Sequence, residues 1–325
     1  TEKVWRQSIG GKVLRQGAKT RCRRRGAGSN VRAARMPPPP PWRRPLLEIR
    51  DLRTYYPIRR GVFARTVGAV RAVDGVNLTL QAGETVGIVG ESGCGKTTLA
   101  RTILRLERPH TGQILVDGVD IATLRGAALK AYRRKVQVVF QDPFASLNPR
   151  HTVLDLVTEG MLAHGLATPA NRRGQAVRLL EDVGLGADLL DRYPHAFSGG
   201  QRQRIAIARA LSLGPQLLIC DEAVSALDLS VQAQILNLLA DLRERRGLAY
   251  LFITHDMAVV QHIADRIVVM QQGRVVEEGP TEELLAQLRH PYTRELLAAV
   301  PLPPVRSADS IDTRHAVCTE GAQGG

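Results

Sequence analysis

The chain has 325 residues, 44% of them hydrophobic, and a formal net charge of +14. That length and composition suit one large folded domain or two smaller lobes. No apolar run reaches the roughly 18–20 residues of a membrane-spanning helix, and no signal-peptide apolar region follows the basic N-terminus, so a cytoplasmic protein is expected, reaching a membrane only through partners.

The charge invites a nucleic-acid reading, but its placement argues against specific binding. Thirteen Lys/Arg and a single acid, Glu2, fall in residues 1–45, which leaves residues 46–325 at +2. Residues 1–45 are basic, Gly- and Pro-rich and lack apolar periodicity, which predicts a disordered tail. Residues 37–41 are all proline and predict a stiff polyproline spacer. Contacts of this tail with anionic lipid or RNA would be non-specific. Met36 precedes the proline run, and the simplest expectation is that it is the natural start, with residues 1–35 an over-extended reading frame. A real basic arm that holds the protein near anionic lipid is the alternative. Cys22, Cys94, Cys220 and Cys318 form no C-x-x-C pair, a pattern that suits reduced thiols rather than disulfides or zinc.

Residues 46–85 read as strands and turns of an antiparallel layer. Residues 84–89 are short, apolar and β-branched, and predict a buried strand. Gly90-Glu91-Ser92-Gly93-Cys94-Gly95-Lys96-Thr97-Thr98 follows and fits G-x-x-x-x-G-K-[ST], the phosphate-binding loop; residues 97–106 then carry helical spacing. Glycines let main-chain N–H groups close around a polyphosphate, and the helix N-terminus adds partial positive charge. Lys96 would reach the β- and γ-phosphates, and the Thr97 hydroxyl would ligate Mg2+. Residues 112–121 alternate like a strand with a turn at Asp117-Gly118.

Residues 136–140 predict a strand ending at Gln141. Residues 142–197 are helix-rich, with helical spacing over 153–162 and 176–183. Ser198-Gly199-Gly200-Gln201 opens an amphipathic helix; it reads as a second anion-binding helix start or as an N-cap with a flexible approach. Residues 217–220 are apolar and end in Asp221-Glu222. That is a strand ending in a charged turn, or one that delivers Asp221 to Mg2+ and Glu222 to an attacking water. Residues 250–254 are strand-like and end at His255, placed to contact a γ-phosphate. In open parallel sheets ligands bind at the carboxyl ends of strands, which is where all four polar groups fall. Residues 267–278 read as a hairpin turning at Gln272-Gly273, residues 281–300 as helical and 301–325 as disordered.

The order of the phosphate loop, Gln141, Ser198 to Arg202, Asp221-Glu222, Ser225-Ala226-Leu227-Asp228 and His255 resembles the ATP-binding cassette (ABC) ATPases over about residues 46–280. The resemblance implies an α/β fold: a P-loop NTPase core of RecA type with an antiparallel β subdomain and an α-helical subdomain at about 142–197. It also implies ATP and Mg2+ as cofactors, with Gln141 in the metal shell and, beside Glu222 and His255, among the catalytic residues. Two cassettes would pair head to tail, with ATP between the Lys96 loop of one and the Ser198-Gly199-Gly200 segment of the other, and Asp228 would couple the two sites. Tyr56 aligns with the aromatic that stacks on adenine, and Tyr55 is one register away. Ala223 stands where the family usually has proline.

Phe140-Gln141-Asp142-Pro143-Phe144-Ala145-Ser146-Leu147-Asn148-Pro149-Arg150 and His290-Pro291-Tyr292-Thr293-Arg294-Glu295-Leu296-Leu297 resemble ATPases of oligopeptide/dipeptide and nickel importers. Gly93-Cys94-Gly95-Lys96 and the stretch from Cys220 to Asp228 resemble the second of their two ATPase subunits. This implies a heterodimer with a related cassette, docked through residues 142–197 on two permease subunits. A solute-binding protein would act indirectly, and the ATPase would sit on the cytoplasmic face of the inner membrane. Peptide is the expected cargo, with nickel or another small solute as alternative; a non-transport cassette acting on ribosomes or DNA is the reading from another class. Residues 281–325 are expected to form an importer-type extension and tail. After Pro304 only Cys318 remains, so an iron–sulfur site there has no ligand set.

Overall fold

The computed structural model describes residues 44–60 and 65–298. Residues 1–43, which hold Met36 and most of the basic tail, and residues 299–325 lie outside this range. The chain begins with β1 (Leu47–Arg60), β2 (Arg65–Leu80) and β3 (Thr85–Val89), followed by helix α1 (Lys96–Ile103). The hairpin-like pair β4 (Thr111–Val116) and β5 (Val119–Asp120), α2 (Gly126–Lys135) and β6 (Val136–Val139) come next. The helical stretch holds α3 (Pro143–Ser146), α4 (Val153–Ala163), α5 (Arg172–Asp182) and α6 (Gly199–Leu211). Then come β7 (Leu217–Asp221), α7 (Leu229–Arg246), β8 (Ala249–Thr254) and α8 (Met257–Ile263). The described chain closes with β9 (Arg266–Gln271), β10 (Arg274–Pro280), α9 (Thr281–Ala286) and α10 (Pro291–Ala298).

Two sheets carry these elements. The first is antiparallel, in the order β2-β1-β4-β5. The second runs β10-β9-β3-β8-β7-β6, parallel from β9 to β6 with β10 antiparallel at its edge. Strands β3, β7 and β8 are buried along their whole length, as expected where both faces of a parallel sheet are covered. Their side chains alternate between two cores because the strand period is two. Ile88, Leu217, Ile219, Leu251 and Ile253 pack with Leu47, Ile49, Leu78 and Ile103 between the two sheets. Leu218, Cys220, Tyr250 and Phe252 face the other way, onto Leu156, Leu180, Ile205 and Leu211 of the helical stretch.

Both anticipated turns have positive φ at their two central residues: Asp117 and Gly118 at 51° and 77°, Gln272 and Gly273 at 49° and 82°. That twist matches flanking antiparallel strands. Three expectations need adjusting. Helix α1 ends at Ile103, not Leu106, because Arg105 is left-handed at φ 56° and the N–H groups of Leu106 and Glu107 both turn back to the Arg101 carbonyl. The antiparallel layer extends beyond residues 46–85, since β4 pairs onto β1 and β5 onto β4. The helical run from 281 divides in two, because Pro291 clashes inside a helix but suits its first turn.

Candidate active site

The site is assembled along the carboxyl edge of the parallel strands. Beyond β3 the chain enters the loop of residues 90–95. Gly90 and Gly95 have φ of 154° and 110°. A Cβ on Gly95 would lie 1.9 Å from the Ala72 carbonyl oxygen, and one on Gly90 2.2 Å from that of Met270. Only glycine allows the loop to sit this close to β2 and β9. Glu91, Ser92 and Gly93 are exposed at the loop tip, while Cys94 and Gly95 are buried at its base. The Cys94 carbonyl accepts the Gly273 N–H at 2.8 Å, which ties the loop to the β9–β10 turn.

Lys96 opens α1 and is 4% exposed. A buried ammonium requires acceptors, and its Nζ donates to the carbonyls of Gly90 at 2.7 Å and Glu91 at 2.8 Å. The next residue, Thr97, donates its hydroxyl to Asp221 Oδ1 at 3.2 Å, joining positions 124 residues apart. Asp221 ends β7. Burial pushes its carboxyl above the ordinary range, the Thr97 hydrogen bond works against that, and the Glu222 charge adds to it. Thr98 lies on the first turn of α1, and its carbonyl accepts the Thr102 hydroxyl at 2.7 Å.

Glu222 is the first residue past β7 and has φ of 51°. A left-handed backbone at a non-glycine residue costs roughly 1–2 kcal/mol. It is held by its N–H on the Ile253 carbonyl at 2.8 Å and by Ser225, whose N–H and hydroxyl both reach the Glu222 carbonyl. The bend turns the Glu222 carboxylate towards β8, where Oε1 lies 3.4 Å from Nδ1 of His255. Strain held in place by neighbours is a frequent property of functional sites.

Gln141 sits past the end of β6, on the same sheet edge but on the outermost strand. It is exposed, and among the described residues no hydrogen bond joins it to the site. The structure thus brings Lys96, Thr97, Asp221, Glu222 and His255 into one connected group and leaves Gln141 beside it.

The Ser198 segment forms a separate group. Ser198 caps α6 in a reciprocal box: its Oγ accepts the Gln201 N–H at 3.4 Å, and Gln201 Oε1 accepts the Ser198 N–H at 3.1 Å. A Cβ on Gly200 would approach Val231 Cγ1 to 2.5 Å, so this helix start packs tightly on the first turn of α7. Asp228 caps α7, accepting the Val231 N–H at 3.0 Å. Ser198 and Asp228 are both exposed. Gln203, unremarked in the sequence, links this group to the site: it is fully buried and its Nε2 donates to the Ala223 carbonyl at 2.6 Å.

Of the two candidate aromatics, Tyr55 is engaged elsewhere. Its hydroxyl donates to Asp74 at 2.6 Å and its ring stacks on His110 at 5.2 Å. Tyr56 is half-buried, and strand alternation places it on the face of Thr54, whose hydroxyl meets Thr102 of α1 at 3.3 Å. Tyr292 also went unassigned in the sequence as a site residue, yet its hydroxyl accepts the Glu91 N–H.

A family model described as ABC transporter matches residues 73–225. The chain is 53% identical over 258 residues to the oligopeptide transport ATP-binding protein AppF of Bacillus subtilis, covering 79% of this chain and 78% of that one. It is 47% identical over 257 residues to the dipeptide transport ATP-binding protein DppF of Haemophilus influenzae, covering 79% and 78%. Among solved structures it is similar to the ATP-binding cassette MJ0796, seen as a dimer in a post-hydrolysis state bound to ADP and Pi. There the TM-score is 0.64 at 31% identity, over 72% of this chain and 98% of that one. It is also similar to cbiO1 of Clostridium perfringens, part of the ABC transporter complex cbiONQ, with TM-score 0.65 at 29% identity, over 79% and 96%. A phosphate loop, a strand-end carboxylate pair and a capped glycine helix start thus occur on a chain with this degree of likeness, and the chain belongs to the ABC transporter family as an ATPase subunit.

Proposed function

We propose that this ATPase drives peptide import. ATP would bind at the loop of residues 90–95, with Lys96 on the β- and γ-phosphates, Thr98 at the helix start and Tyr56 against adenine. Mg2+ fits the donor set: a hydroxyl and a carboxylate, Thr97 and Asp221, already meet at 3.2 Å, and Gln141 stands on the same edge. These are hard oxygen donors, and the remaining positions would fall to phosphate oxygens and water. Bound there, the ion would neutralise charge on the phosphates. Glu222 would take a proton from a water that attacks the γ-phosphorus, the bond to the β-phosphate oxygen breaking as ADP leaves. His255, on Glu222 at 3.4 Å, would orient that carboxylate and contact the γ-phosphate. The observation that carries this reading is the pairing of Thr97 with Asp221 and of Glu222 with His255 at one sheet edge.

The Ser198-Gly199-Gly200-Gln201 group would close over ATP held by a second, related cassette, with Asp228 between the two sites. Residues 46–280 would be the cassette, 142–197 its permease-facing lobe and 281–325 the importer-type extension. Two permease subunits would hold the pair at the cytoplasmic face of the inner membrane, with a solute-binding protein acting through them. Peptide cargo is supported by the names of the relatives, AppF and DppF. The test is ATP hydrolysis by the assembled transporter in vesicles. A peptide-loaded binding protein should stimulate it; stimulation by a nickel-loaded one alone, or by ribosomes or DNA without any permease, would overturn the reading.

A further inference from the structure

The loop that precedes Lys96 is held from two sides. The Gly90 carbonyl and the Glu91 N–H belong to one peptide unit, and because that unit is planar and trans they point in opposite directions. The carbonyl accepts Lys96 Nζ at 2.7 Å, and the N–H donates to the Tyr292 hydroxyl at 2.9 Å. Tyr292 lies 201 residues further along the chain, in the first turn of α10. Gly90 has no side chain to restrict rotation of this unit, and its φ of 154° is open to it. The two hydrogen bonds do that instead.

Tyr292 is itself firmly seated. It is 4% exposed and packs with Val89, Met257, Val260, Ile267 and Val269. The start of its helix hangs on β10: the carboxylate oxygens of Glu277 accept the N–H groups of Arg289 at 2.9 Å and His290 at 3.1 Å. The Tyr292 N–H in turn donates to His290 Nδ1 at 3.2 Å. A buried tyrosine hydroxyl needs some partner. Here that partner is a peptide whose other end accepts one of the two carbonyl hydrogen bonds of the loop lysine.

We propose that Tyr292 is a positioning residue for the phosphate loop, its hydroxyl fixing the 90–91 peptide and so tying nucleotide affinity to the seating of helix 291–298. This rests on the reading that the loop binds ATP. It assigns to the His290-Pro291-Tyr292-Thr293 segment a role inside the ATPase site. A chain whose α10 is displaced from β10 would hold ATP more weakly even with every loop residue intact.

Tyr292→Phe in the full-length chain removes the hydroxyl and keeps the ring. Net hydrogen-bond values imply that KM for MgATP in the assembled transporter should rise about 2–10-fold. kcat should stay within about twofold and the thermal midpoint of the nucleotide-free chain should hold. Glu277→Ala, which loosens the helix start, should raise KM in the same direction, and the double variant should raise it less than the product of the two, because both act through one contact. An unchanged KM in Tyr292→Phe overturns the proposal, as does a KM rise that comes with an equal fall in kcat and in thermal midpoint. Fully multiplicative effects in the double variant also overturn it. Lys96→Ala separates the underlying reading: if that variant binds ATP as the parent does, the loop assignment fails, whatever Tyr292 does.

Discussion

Glu222 combines three properties rarely found together by accident: a left-handed backbone, a carboxylate that is 16% exposed, and a histidine on its Oε1. Each follows from the abrupt end of β7, where Asp221 completes the strand and Glu222 turns back onto Ile253. Replacing Glu222 by Gln keeps the shape and removes the base. MgATP binding should persist while steady-state hydrolysis falls by about 10²–10⁴-fold; phosphate release at the parental rate would remove Glu222 from that role. Lys96→Ala acts earlier. It deletes the ammonium that now rests on two loop carbonyls, and titration with a fluorescent ATP analogue should show weaker binding. Lys96, Thr97, Asp221, Glu222 and His255 were all legible in the sequence, because loop glycines and strand-end acids leave local patterns. Gln203 and Tyr292 were not. A buried glutamine in an amphipathic helix and a tyrosine after proline have many uses, and only distant partners select one.

At the scale of elements, α6 depends on how it starts. The Ser198–Gln201 box satisfies two N–H groups that the helix cannot, and Ser198→Ala should cost about 1 kcal/mol, read as a lower denaturation midpoint. Gly200→Ala should cost more, about 1–3 kcal/mol, because the new methyl would meet Val231 Cγ1 at 2.5 Å and a β-branched residue on a helix has little room to turn away. The sequence left two readings of this segment open, anion site or N-cap. The capping box is present, and the exposed Ser198 remains available for the first role.

Helix α10 has a pH-dependent attachment. Burial tends to raise the Glu277 carboxyl, but the hydrogen bonds it accepts outweigh that and hold it below the ordinary carboxylate range. The stabilisation is therefore present above the ordinary carboxylate pKa and is lost as pH falls through the lowered value. Amide hydrogen exchange in residues 291–298 should accelerate on acidification through that window, and Glu277→Gln should remove the dependence.

For the whole molecule, the two polar groups matter most. The Lys96 cluster and the Ser198–Asp228 cluster each present half of what ATP hydrolysis in this family's pairing would use. In Glu222→Gln, ATP should therefore trap a dimer with a related cassette, seen by light scattering, and Ser198→Arg should abolish it without weakening ATP binding to the single chain. A fully active homodimer on its own permease would overturn the heterodimer. Crosslinks from the lobe at 142–197 to a permease's cytoplasmic loop are expected as well.

What the residues by themselves determined was local. Loop glycines, strand-end acids, turn pairs such as Asp117-Gly118 and the N-cap at Ser198 each rely on geometry within a few residues, so their chemistry could be read without a fold. The strand order β3-β8-β7-β6 could not be read in this way, nor the 3.2 Å meeting of Thr97 with Asp221 and the hold of Tyr292 on Glu91. Those come from burying both faces of one parallel sheet. Each strand had to choose neighbours that covered its two apolar faces at once, and only that packing set which polar ends met.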